Sequence, residues 1–188
     1  RDLPKADISR KPKIGILKSF FGTEPVNDEV NQMIAEVIKE MCSSGIEFIE
    51  IDENIQSADL VLQVSVHLFD LKAHLNNYLE AVHAPYPSID AILASGLYHP
   101  GIKENLVYAN QLDINAPEYS ERLQKRAALQ KCIDAIFLDH QLDAMIFPHQ
   151  QQLVCKVGDS QLQRNGALAA ITGYPSICLP AGFSAPTQ

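Results

Sequence analysis

Positive charge is scarce in this sequence. Its 188 residues hold 15 Lys and Arg against 23 Asp and Glu, a formal net charge of -8 with a pI near 5.1. The cations form no run. Nucleic acids and anionic membrane surfaces both call for clustered Lys and Arg, so neither is expected as a partner. No apolar stretch reaches the roughly 18 residues of a membrane span. The opening residues, RDLPKADISRKPK, lack the apolar core of a signal peptide. Cysteine is sparse and scattered, at Cys42, Cys132, Cys155 and Cys178. Without a C-x-x-C pair, zinc ribbons and thioredoxin-type redox chemistry are excluded. Cys42, Cys132 and Cys178 sit in apolar runs and are expected to be buried free thiols. Reduced thiols suggest a cytoplasmic setting. Also missing are the G-x-S-x-G elbow, the P-loop and the G-x-G-x-x-G fingerprint. Arg1 stands where a Met would open a reading frame, so a piece of a longer chain is expected.

What is present is a globular α/β pattern. Hydrophobic residues make up 46% and charged residues 20% of the chain, enough for one medium domain with a core. KIGILKSFF (residues 13–21) reads as a buried strand. Asn27 then caps a helix, with Asp28 and Glu29 where negative charge suits the helix dipole. Val30, Ile34, Val37, Ile38 and Met41 form one apolar stripe along it, and Gly45 stops it. IEFIEI (46–51) is a second strand. Strand, helix, strand at this spacing predicts a parallel pair with a right-handed crossover.

A long helix is expected over 58–84, and a short one over 88–96 with a Ser cap and a Gly stop. Residues 101–112 read as weakly helical. Pro117 opens another long helix, to about residue 141. LDAMIFP (142–148) is a strand that Pro148 ends. The polar stretch 149–163 is a loop, NGALAAIT (165–172) a short helix, and SICLP (176–180) a last strand. There is no repeat and no linker. The fold class is α/β, a mixed β-sheet flanked by helices, in a single domain over 1–188.

Catalytic sets are hard to find in the residues themselves. Cys42–Gly45 (CSSG) closes a helix and has no base beside it, which favours a helix stop over a nucleophile. His67, Asp70 and His74 share a helix face. Seven residues separate the two imidazoles by about 10 Å along the axis, too far for one ion, so a solvated face is expected and no metal. Cys155 and His149 lack an orienting third group. The end of the chain is different. TGYPSICLPAG places Gly and Pro where the backbone approaches something closely, either a pocket wall or tight helix–strand packing.

That ending, RNGALAAITGYPSICLPAGFSAPT, resembles the C-terminal part of the amidase signature family. Members carry N-x-x-G-x-P-x-x-x-x-P-x-G after a helix of small residues. Gly173, Pro175, Pro180 and Gly182 match its second half, and Asn165, eight residues before Gly173 where the pattern has three, is taken to begin it. Further segments agree in order: PKIGIL (12–17), DLKAHLNNYL (70–79, with Leu71 where an aromatic is usual), YSERLQKRAALQKCIDAIF (119–137) and DAMIFP (143–148). The resemblance implies hydrolysis of carboxamide C–N bonds by serine acyl transfer, with no metal or organic cofactor. It also implies that the Ser–cis-Ser–Lys triad lies before the KIGIL strand, so no catalytic residue is expected in this chain. The substrate-binding residues it implies are Pro148, His149, Gln150, Asn165, Thr172 and Pro175. The expected partner is a small-molecule amide. Self-association through the last strand is a further expectation. The alternative is a non-catalytic α/β binding or assembly module built on an amidase-like scaffold.

Overall fold

The computed structural model describes residues 10–184, which divide into two compact units, one of residues up to 61 and from 129 onward, the other of residues 62–128.

The first unit is built on a three-stranded sheet in the order β2-β1-β3, from β1 (Lys13–Leu17), β2 (Glu47–Ile51) and β3 (Ala144–Ile146). Both pairings are parallel, with Gly15 opposite Ile49 on one side and Met145 on the other. The α/β class is as expected; no antiparallel strand of a mixed sheet occurs among the described residues. β1 is apolar because it is central. Leu17 and the following Phe20 are wholly buried, as is Ile51 nearly so, each contributing about 1.5–3 kcal/mol. Gly15 has no side chain because Leu142 and Ile51 pack over it, and a Cβ would lie 2.7 Å from Leu142 Cδ1.

Helix α1 (Asp28–Ser43) connects β1 to β2. Its apolar stripe is its less exposed side, with Ile34 deepest, and Gly45 at φ 92° follows its end. Asp143 ties the starts of β1 and β3 together. Its Oδ2 accepts from the Lys13 backbone N–H at 2.9 Å, and its own N–H donates to the Lys13 carbonyl at 2.8 Å. The Arg10 guanidinium also pairs with it. That backbone donor, then Arg10, holds the Asp143 carboxyl below its ordinary pKa against the opposing effect of desolvation.

Helix α2 (Ser57–Asp59) passes into a π-helical turn, Leu60–Val64. The long helix expected over 58–84 is thus broken, and α3 (His67–Ala81) starts afresh after Val66. Val61, Val64 and Val66 in the run between them are β-branched and lower its helix propensity.

The second unit holds α3, α4 (Ile89–Ser95), α5 (Lys103–Gln111) and the first part of α6 (Pro117–His140) around Val66, Phe69, Ile89, Leu106 and Ala109. Ser88 caps α4, accepting from Ala91 N–H at 3.1 Å, and Gly96 ends it at φ 68°. Asp70 accepts the Tyr119 hydroxyl at 2.8 Å, which raises the tyrosine pKa. The His67 ring meets Ser65 Oγ at 2.6 Å. On the face shared by His67, Asp70 and His74, His67 and Asp70 are thus hydrogen-bonded and both imidazoles are exposed.

Two expectations are corrected here. Cys42, Cys132 and Cys178 are exposed, because helix positions flanking an apolar stripe, and an unpaired tail, face solvent. Residues 176–180 form no strand; Ile177 and Leu179 join no ladder and are 80% and 73% exposed.

Candidate functional site at the carboxyl ends of the strands

In parallel sheets ligands collect at the carboxyl ends of strands, where the strand order reverses. Here β1 leads to β2 on one side while β3 lies on the other, so that point falls between β1 and β3. The segments that meet there are 18–27 after β1, 147–151 after β3, and 163–173 around α7 (Ala167–Thr172).

Asn165 lies at the centre and is wholly buried. Its Nδ2 donates to the Phe20 carbonyl at 2.7 Å and the Pro148 carbonyl at 2.8 Å. Its Oδ1 accepts from Gln151 Nε2 at 3.2 Å, and its backbone N–H donates to the His149 carbonyl at 2.9 Å. Every polar atom of the side chain is used, and the strand-end crevice is closed by a staple. The rings of Phe20 and Phe147 pack edge to face beside it, 4.7 Å apart.

A second buried asparagine repeats the device. Asn27 caps α1 by position, yet it makes no side-chain bond to that helix. Its Oδ1 accepts from Glu24 N–H at 3.0 Å, and its Nδ2 donates to the Gln151 carbonyl at 2.9 Å and Gln163 Oε1 at 2.6 Å. Gly22 makes room for it; a Cβ there would lie 2.1 Å from Asn27 Cγ.

The structure brings Pro148, His149, Gln150 and Asn165 together. Pro148 is buried, Gln150 half-buried, and His149 exposed. The His149 ring lies against Gly166, where a Cβ would be 2.9 Å from its Cε1. Gln150 Oε1 and Ser19 Oγ are buried without a protein partner; Ser19 was not singled out by its sequence, since nothing local marks it. Thr172 is buried and spends its hydroxyl on the Leu168 carbonyl at 2.7 Å, while its own carbonyl accepts from Gln130 Nε2, also at 2.7 Å. Gly173 at φ 78° ends α7. Tyr174 then donates to Asp134, which raises the tyrosine pKa. Pro175 follows on the exposed side. Thr172 and Tyr174 thus tie the end of α7 to α6, and Pro175 lies just beyond them. Cys155 lies further out, with Sγ 3.4 Å from the Asp159 carbonyl and no histidine among its partners.

A three-stranded parallel sheet with flanking helices, its rim closed from the start of a small-residue helix, makes this an α/β scaffold. Solved structures of peptide amidases are similar to it in fold. The native peptide amidase from Stenotrophomonas maltophilia superposes with a TM-score of 0.66 at 22% identity, over 88% of this chain and 35% of that one. A peptide amidase in complex with the competitive inhibitor chymostatin gives 0.58 at 22% identity, over 88% and 36%. The chain therefore spans little more than a third of these proteins. No family model matches the sequence, and no curated protein matches it.

Proposed function

We propose that this chain forms the substrate-side part of an amidase-signature-type hydrolase that cleaves carboxamide C–N bonds by serine acyl transfer. The observation that carries the reading is the amidase-like scaffold over 88% of the chain. The ordered motifs from PKIGIL to the C-terminal ending, and the gathering of Pro148, His149, Gln150 and Asn165 at one rim, add support. In this reading the nucleophilic serine, the bridging serine and the lysine lie outside these residues. The lysine, through the bridging serine, takes the proton of the nucleophile, and backbone N–H donors hold the oxyanion. His149 and Gln150 border the substrate. Asn165 and Thr172 fix the backbone that presents them, and Pro148 and Pro175 shape the wall. No cofactor takes part in that reaction. The free cysteines accord with a cytoplasmic protein.

Because the similar structures are peptide amidases, a peptide amide is the first substrate to try, with simple aliphatic and aryl amides beside it. The 188-residue chain alone is expected to release no ammonia from any of them. The uninterrupted protein that contains it is expected to do so. Turnover by the isolated chain would overturn the placement of the catalytic residues. A folded, uninterrupted protein inactive on the whole panel would favour the non-catalytic module.

A further inference from the structure

We propose that residues 150–164 are a hinged strap over the sheet rim, latched shut by Asn27, that opens as a unit while the parallel sheet stays intact. The inference is independent of the amidase reading.

The strap is firm at its base. Gln150 bridges Arg164, Gln151 N–H donates to the Gln163 carbonyl at 3.0 Å, and Ser57 Oγ donates to the Arg164 carbonyl at 2.9 Å. Asn27 ties both arms at this level, through the Gln151 carbonyl and Gln163 Oε1. Above the base, backbone pairing between the arms stops and glutamine side chains take over. Gln152 Nε2 reaches the Leu162 carbonyl at 3.3 Å, Gln161 Nε2 the Leu153 carbonyl at 3.4 Å, and the Cys155 N–H donates to Gln161 Oε1 at 2.9 Å. Long side chains hold such bonds at an entropic cost, so they make a weaker ladder than a backbone one.

Burial does not compensate. No residue from 150 to 164 is buried, and Val154, Val157 and Leu162 are 89%, 108% and 63% exposed. Segments with few buried apolar contacts and exposed hydrogen bonds are those that open locally. Gln163, a non-glycine at φ 55° at the base, suits a hinge, while Gly158 at φ 100° closes the tip in the turn that Asp159 N–H makes on the Lys156 carbonyl. An open groove of about 450 Å³ separates the strap from Pro25, Val26 and Glu29, leaving room for movement. The strap leaves the rim at His149 and rejoins it at Asn165, so opening changes access to His149 and Gln150 without unpairing β1 from β3.

Hydrogen exchange on the 188-residue chain tests this. Amides of 152–162 are expected to exchange orders of magnitude faster than those of β1. Asn27→Ala, losing two donated bonds, is expected to speed exchange across the strap by about 10- to 30-fold. Should that variant also loosen the sheet, Gln161→Ala provides the second test: it removes arm-to-arm bonds at a half-exposed site, and its effect is expected in 152–162 alone. In a Cys42→Ser, Cys132→Ser, Cys178→Ser background, Cys155 alkylation is expected to accelerate in parallel with strap exchange. Strap amides that exchange in step with β1, or a Gln161→Ala variant without effect on Cys155 alkylation and strap exchange, would overturn the proposal.

Discussion

Replacing Asn165 with alanine removes the staple between the segments that follow β1 and β3, and its cost follows from the bonds it makes. The Phe20 and Pro148 carbonyls each lose their Nδ2 donor. With Asn165 wholly buried, water does not readily substitute. A buried acceptor left unpaired costs about 1–3 kcal/mol. Gln151 Nε2 loses an acceptor too, but that side chain is half-exposed and turns to water. The expected loss is therefore about 2–6 kcal/mol, large for a domain of this size. Asn165→Asp sharpens the test. It keeps the shape but sets a carboxylate oxygen against two carbonyl oxygens, so its pKa in the folded state must rise. A raised acid favours the fold while protonated; this variant is expected to regain stability as pH falls through that value. Urea unfolding by circular dichroism, with exchange protection in β1 as a local probe, measures both. Variants within about 0.5 kcal/mol of the parent at neutral pH would refute the staple.

The depressed Asp143 carboxyl contributes stability above its unfolded value near 4, which is lost as pH falls through the lower folded value; Asp143→Asn is expected to flatten the acid limb of the stability profile, and an unchanged limb would count against the role given to Lys13 N–H and Arg10. Gly22→Ala should displace Asn27, 2.1 Å from the new Cβ, and show the same strap exchange as Asn27→Ala; a strap still fully protected would contradict this. Ile177, Leu179 and Phe183 are 80%, 73% and 99% exposed, so sedimentation of the isolated chain is expected to give a mass that rises with concentration and falls back in Ile177→Lys with Leu179→Lys. A monomer at all concentrations would mean that this tail is not an association surface.

Much of the scaffold was legible because its signals are local. The β1–α1–β2 unit announces itself through an apolar run, a helical stripe and a glycine stop within about 40 residues. The Ser88 cap and the Gly96 stop of α4 were equally plain, since both act within their own turn. The partners that matter at the rim are remote. Asn27 reads as a helix cap, and only the fold shows it meeting Gln163; Asn165 reads as a motif position, and only the fold puts Phe20 beside it, 145 residues away in sequence. The break at Leu60–Val64 is a π-helical irregularity of the backbone that apolar periodicity conceals. Residues 176–180 have the composition of a strand, but a strand exists only with a neighbour to pair, which composition does not report. The cysteines failed similarly: an apolar neighbourhood in sequence does not settle which face of a helix a thiol occupies.

The claim that this scaffold belongs to an amide-cleaving enzyme is tested most directly by ammonia release from a peptide amide by the uninterrupted protein that contains these residues, measured beside its Gln150→Ala and Asn165→Ala variants. Turnover is expected in the parent, with a raised KM in Gln150→Ala and a loss of activity in Asn165→Ala that tracks its loss of β1 protection. A well-folded parent that releases no ammonia from peptide, aliphatic or aryl amides would contradict it.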